Sequence, residues 1–134
     1  FYTALATDGH AAKPEIVRRK PERVKIMDLS PQDMETLRIA MVGVTSAGGT
    51  AASAALTGVT LAGKTGTAQT TALGAGGCDH AWFVGFAPAE KPRMVVSVML
   101  ECGLHGYAAA RIASQIVGKY LGVQPTYLAQ PTGD

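Results

Sequence analysis

Residues 81–101 read AWFVGFAPAEKPRMVVSVMLE. Two apolar runs, Ala81 to Ala87 and Arg93 to Glu101, flank Pro88-Ala89-Glu90-Lys91-Pro92. Valine and aromatic content suits both runs to strands, and the proline-bracketed charged pair between them predicts an antiparallel hairpin. Met94 to Leu100 is apolar on both faces, so it is expected to be a central strand covered on both sides. Trp82, Phe83 and Phe86 are expected in the core.

Outward from this hairpin the same logic holds. Upstream, Val59 to Gln69 (VTLAGKTGTAQ) has the β-branched content of a third strand, with glycines at 63 and 66. Thr70 to Asp79 is a glycine-rich loop. Downstream, the pairs Ala108/Ala109, Ile112/Ala113, Ile116/Val117 and Tyr120/Leu121 recur every four residues, the mark of a helix laid on a sheet. Gly122 stops it, and the tail over 125–134 is expected to be loose. Further upstream, Ser30 caps a helix, Pro31 suits its first position, and Asp33 meets the helix dipole. Met34, Leu37, Met41 and Val44 form its apolar stripe, Gly48-Gly49 ends it, and Thr50 to Leu56 adds a turn or two. Lys13 to Lys20 and Arg23 to Met27 lean towards a loose hairpin around Pro21. The order of helix, three antiparallel strands and helix gives an α+β fold, an antiparallel sheet packed by helices.

Composition narrows the function. Of 134 residues 47% are apolar and 16% charged, which is globular and excludes disorder for most of the chain. Twelve basic against ten acidic residues leave a net charge of +2, too little to argue for nucleic acid. The cluster Arg18-Arg19-Lys20 with Arg23 and Lys25 reads as a solvated hairpin face. No apolar run has the length of a membrane span. Phe1 to Ala6 reads as the last turns of a helix stopped at Asp8-Gly9. A chain that opens in mid-helix is expected to be part of a longer one.

Gly63-Lys64-Thr65-Gly66-Thr67 is the segment whose residue types folding alone explains least. Lys64 supplies a fixed positive charge and Thr65 a hydroxyl donor, while Gly66 removes a side chain that would block a ligand lying against the backbone. Alternation sends Lys64 and Thr65 to opposite faces, so both serve one ligand only if it lies along the strand's edge. The plainer reading is an exposed edge strand with a solubilising lysine.

Lys-Thr-Gly is one of three motifs of β-lactamases and penicillin-binding proteins. Beyond the tripeptide, the sequence resembles the class B penicillin-binding proteins, the peptidoglycan D,D-transpeptidases, most closely the elongation type. The resemblance lies in residues 41–52 (MVGVTSAGGTAA), 61–69 (LAGKTGTAQ), 80–88 (HAWFVGFAP) and 95–106 (VVSVMLECGLHG). It implies part of a β-lactamase/transpeptidase-like fold, the C-terminal portion of that domain. It also implies that Lys64 shapes the proton-transfer electrostatics and that Thr65 and Gly66 hold the carboxylate of a D-Ala-D-Ala stem peptide or a β-lactam. Thr67 would give its backbone N–H to an oxyanion hole. The expected setting is the extracytoplasmic face of the bacterial cytoplasmic membrane, with an upstream anchor, the rest of the transpeptidase domain and a glycosyltransferase as partners.

The family's other two motifs are absent. Ser30, Ser46, Ser53, Ser97 and Ser114 are followed three residues later by Asp33, Gly49, Leu56, Leu100 and Val117, and the chain has no asparagine. An activated serine needs a base in reach, so this chain by itself is expected to form no acyl-enzyme. Alternatives are a D,D-carboxypeptidase or β-lactamase-related hydrolase, or a non-catalytic sensor or scaffold. The final helix also departs from the family's frequent Ala-Ala-Pro, reading Ala109-Ala110-Arg111.

Cys78 and Cys102 flank the hairpin. A turn near Glu90-Lys91 sets them within about two residues of register, so a disulfide is one reading and two thiols the other. His80 and His105 lie at the same end. Cys78-x-His80 with Cys102-x-x-His105 lacks a pair of standard zinc-ligand spacings, and neither metal nor cofactor is expected.

Overall fold

A computed structural model describes residues 1–17, 20, 22–69 and 77–129. Its elements are α1 (Tyr2–Ala6), β1 (His10–Ala12), β2 (Arg23–Lys25), α2 (Pro31–Thr45), β3 (Ala62–Gln69), β4 (Asp79–Ala87), β5 (Met94–Leu100), α3 (Gly106–Leu121) and α4 (Thr126–Ala129). A single 3-10 turn, Ala52–Ala54, lies between α2 and β3.

The main sheet is antiparallel in the order β3-β4-β5. Val84 sits opposite both Lys64 and Ser97, fixing one register across all three strands. Period-two alternation then sorts the side chains. Ala81, Phe83 and Ala87 face α3 and join a core with Val96, Ala109, Ala113 and Val117. Phe86 faces the other way, into a second core with Leu5, Met34 and Met41 from α1 and α2. Phe83 and Phe86 are fully buried, whereas Trp82, on the sparsely covered part of that second face, is 39% exposed and is not a core residue. Gly63 pairs with Gly85, and a Cβ at Gly63 would stand 2.3 Å from the Phe83 ring. The glycine pair is the seat of that ring.

α2 begins as expected: the Ser30 hydroxyl oxygen accepts from the Asp33 N–H at 3.1 Å. Its buried stripe is Met34, Met41 and Thr45, and Leu37 is 40% exposed. At about 100° per residue, Leu37 lies on the flank of that stripe. Arg38 takes the inward place and donates to the Leu5 carbonyl at 3.1 and 3.2 Å and to Asp8 at 2.5 Å, pinning α1 to α2. The Thr45 hydroxyl donates to the Leu61 carbonyl, coupling α2 to the entrance of β3.

Four further expectations are corrected. β2 pairs with His10–Ala12 rather than with Lys13–Lys20, because the helix end at Asp8-Gly9 already turns the chain into a strand. β5 is not central; among the described residues β4 is its one strand neighbour, and Val95 and Met99 on its second face are 36% and 48% exposed. The buried face of α3 is Ala109/Ala110, Ala113/Ser114 and Val117/Gly118, one residue along from the expected pairs. Ile112, Ile116 and Tyr120 are exposed. Small residues let this helix lie close to the sheet, and Ser114 satisfies its hydroxyl on the Arg111 carbonyl at 2.9 Å. The tail to residue 129 is docked: Thr126 N–H donates to the Ala55 carbonyl at 2.9 Å, and the Arg111 guanidinium lies 4.4 Å from the Tyr127 ring centre. Residues 70–76 of the glycine-rich loop, Arg18, Arg19, Pro21 and 130–134 lie outside the described residues.

Phe83→Ala is expected to lower stability by about 3–5 kcal/mol, since it empties the seat between the two glycines. Ile112→Ala on the exposed flank is expected to stay within about 0.5 kcal/mol. Urea denaturation measures both, and equal losses would mean that the buried face of the sheet is misassigned.

Candidate active site

β3 carries the Lys-Thr-Gly segment on the margin of the sheet, with β4 as its one strand neighbour among the described residues. Against this margin lies a cleft of about 420 Å³, floored by Lys64, Thr65, Gly66 and Thr67. The Lys64 ammonium is exposed and donates to the carbonyl of Thr65 at 2.7 Å. It thus curls along its own strand and holds its charge at the edge instead of projecting straight out. That curl is how a lysine and a threonine of opposite parity come to line the same cleft.

Thr65 is half-buried, and its hydroxyl lies 3.1 Å from that of Thr50. Thr50 comes from the loop after α2, positioned by bonds on either side: Gly49 N–H to the Ser46 carbonyl at 2.9 Å and Ala51 N–H to the Val44 carbonyl at 2.8 Å. A hydroxyl with a fixed partner has a fixed rotamer, so a second lone pair or the proton is directed at the cleft. The sequence pattern marks Thr50 only as the start of a helical turn, because only the fold brings residue 50 to residue 65.

The opposite wall is the start of α3. Gly106 is buried, and a Cβ there would meet the Thr65 Cβ at 2.8 Å, the Trp82 carbonyl at 3.0 Å and the Gly66 nitrogen at 3.1 Å. Only glycine lets the helix start so close to the strand. On either side His105 and Tyr107 turn outward, their rings stacked at 5.7 Å. Among the described residues no carboxylate lines the cleft, and Lys64 is its fixed charge. The arrangement presents a cation, two coupled hydroxyls and an open backbone margin, which suits an extended ligand ending in a carboxylate.

Beyond this wall, Cys78 before β4 and Cys102 after β5 form a disulfide with Cα atoms 5.0 Å apart. Ala81 opposite Leu100 gives the register that carries these two positions together. His80 lies beside them and its Nδ1 accepts from the Cys102 N–H at 3.1 Å. His105 belongs to the cleft wall.

The model of the penicillin-binding protein transpeptidase domain matches residues 1–121. Peptidoglycan D,D-transpeptidase MrdA of Acinetobacter baumannii is 35% identical over 123 residues, covering 84% of this chain and 18% of MrdA. The probable peptidoglycan D,D-transpeptidase PenA of Neisseria meningitidis is 35% identical over 137 residues, covering 93% of the chain and 23% of PenA. Among solved structures, the imipenem acyl-enzyme of M. tuberculosis penicillin-binding protein A superposes with a TM-score of 0.73 at 27% identity, over 90% of this chain and 29% of that one. Pseudomonas aeruginosa PBP2 in complex with WCK 5153 superposes with a TM-score of 0.68 at 30% identity, over 98% of this chain and 31% of that one. The sequence spans about a fifth of the length of these two curated relatives, and the α+β fold read from it matches that of the superposed structures. The chain belongs to the penicillin-binding protein transpeptidase domain family.

Proposed function

We propose that this chain forms the Lys-Thr-Gly side of the active site of a peptidoglycan D,D-transpeptidase that also binds β-lactams. The observation that carries the reading is the convergence of Lys64, Thr65, Gly66 and Thr67 on one open cleft whose fixed charge is positive. In the reaction a serine outside this chain attacks the carbonyl carbon between the two terminal D-alanines of a stem peptide. The C–N bond breaks, the terminal D-alanine leaves with a proton, and an acyl-serine remains. The amine of a neighbouring stem peptide then attacks that ester, and the serine regains its proton.

The residues here serve the first step. A stem peptide laid along β3 pairs with the backbone as an added strand and brings its terminal carboxylate to the Thr65 and Lys64 end. Gly66 gives that backbone room. The Thr67 N–H faces the carbonyl under attack and stabilises the developing oxyanion. Lys64 lowers the cost of negative charge near the serine and its base. A β-lactam carries its own carboxylate and a strained carbonyl in a comparable arrangement, so it occupies the same rail. Peptidoglycan lies outside the cytoplasmic membrane, and the reaction is placed there. No helix among the described residues is long and apolar enough to cross a membrane.

Two outcomes are expected. In the intact protein, Lys64→Ala lowers the rate of fluorescent-penicillin labelling at least about a hundredfold, while the 134-residue chain alone gives no covalent band after denaturing electrophoresis. A band on the chain alone, or full labelling of the lysine variant, would sink the reading. Thr50→Val removes the partner of the Thr65 hydroxyl and is expected to weaken acylation by about three- to tenfold, the worth of one hydrogen bond. Thr50→Ser restores it. A β-lactam methyl ester, which has no carboxylate to orient, is expected to lose nothing from the valine variant. An equal loss with acid and ester would mean that Thr50 has only a structural role.

A further inference from the structure

Cys78, His80 and Cys102 place their donor atoms within 4.8 Å of one another, the one such group of metal-binding side chains among the described residues. We infer that this cluster is a redox-gated metal site: closed as a disulfide in the oxidised protein, and in the dithiol form a two-thiolate, one-imidazole site for a divalent cation of the zinc class. The inference does not rest on the transpeptidase reading, because none of the three residues belongs to the catalytic constellation.

The geometry comes from the sheet. The β4–β5 register brings the strand entrance at Cys78 and the turn at Cys102 side by side, and β4 puts His80 two residues further along. Cys102 sits in a tight turn closed by Gly103 N–H on the Leu100 carbonyl at 3.2 Å, so its sulfur is held over the end of the sheet. His80 is half-buried and its Nδ1 already faces Cys102. Because Nδ1 accepts a hydrogen bond, its lone pair is available and the ring proton is on Nε2. That is the tautomer in which Nδ1 ligates, and the Cys102 N–H then turns to a thiolate sulfur instead.

Zinc–sulfur bonds of about 2.3 Å and zinc–nitrogen bonds of about 2.0 Å at tetrahedral angles put donors about 3.5–4 Å apart. All three donor atoms already lie within 4.8 Å of one another, and side-chain rotation after the sulfurs part opens the bonded pair to that spacing. Two thiolates and an imidazole select a borderline-soft ion over calcium or magnesium. Three protein ligands leave one position for water or a further donor.

The chemistry balances with a dithiol or phosphine reductant. Two electrons enter the Cys78–Cys102 bond, each sulfur takes a proton, and the dithiol becomes a disulfide, or the phosphine its oxide with oxygen from water. Binding of the cation then releases the two thiol protons, so affinity rises with pH. Metal and disulfide exclude each other. Either one staples residue 102, three residues ahead of His105, to the entrance of β4, and so fixes the loop that leads into the cleft wall.

The test uses the protein carrying this chain, reduced with a tertiary phosphine, desalted without oxygen and titrated with cobalt(II). The expected result is one cobalt per chain with thiolate-to-cobalt charge transfer in the near ultraviolet, displaced by zinc. The oxidised protein is expected to give no such band. His80→Ala is expected to weaken binding at least about tenfold while leaving the oxidised disulfide and its circular dichroism unchanged. Cys102→Ser is expected to lose the charge-transfer band or most of its intensity. Absence of the band in reduced protein, its presence in oxidised protein, or unchanged affinity in His80→Ala overturns the proposal.

Discussion

The pairing of β4 with β3 on one side and β5 on the other, in a single register, is the constraint on which the molecule rests. It sets Gly63 against Gly85, which opens the seat for the Phe83 ring, and the ring in turn fixes the sheet beneath α3. A slip of one residue would send Phe83 to the face of Phe86 and fill the seat with nothing. The same register brings Cys78 to Cys102 and leaves the margin of β3 facing the cleft. Core, staple and site are therefore consequences of one alignment.

The site is built from pieces that differ in sequence distance. Lys64 to Thr67 come as one run and carry their chemistry with them. Thr50 joins through a hydroxyl–hydroxyl contact 15 residues back, and the wall of α3 joins through backbone, at Gly106. The coupling of α2 to β3 through Thr45 and Leu61 gives the Thr50 loop a fixed starting point. Positional accuracy in the cleft thus depends on hydrogen bonds well outside it.

What was legible in the sequence follows from this. The valine- and aromatic-rich runs at residues 81–101, the Ser30-Pro31-x-Asp33 start and the β-branched stretch around Lys-Thr-Gly are local signals, and each marks an element close to where it lies. The misreadings all required a partner. Met94 to Leu100 is apolar on both faces, but its composition does not say how many strands flank it. Leu37 and Arg38 exchanged roles because an arginine satisfied by the Leu5 carbonyl and Asp8 is tolerated on an inward position. On α3 the packed face took small residues, Ala110, Ser114 and Gly118, over the larger isoleucines, and at Gly118 the close neighbour is the Val123 carbonyl, a preference for close approach that hydrophobicity does not encode. The docked tail was missed for the same reason: Thr126 and Tyr127 are held by Ala55 and Gln115, which no pattern near Pro125 announces.

The wall at α3 combines a residue that tolerates no Cβ with neighbours that touch little. Gly106 is hemmed in by the Thr65 Cβ and by the backbone of Trp82 and Gly66, yet Leu104 and Tyr107 are 59% and 48% exposed, and His105 is exposed beside them. Substitution therefore meets little resistance at 104, 105 and 107 and strong resistance at 106. The rim can change while the wall behind it keeps its place.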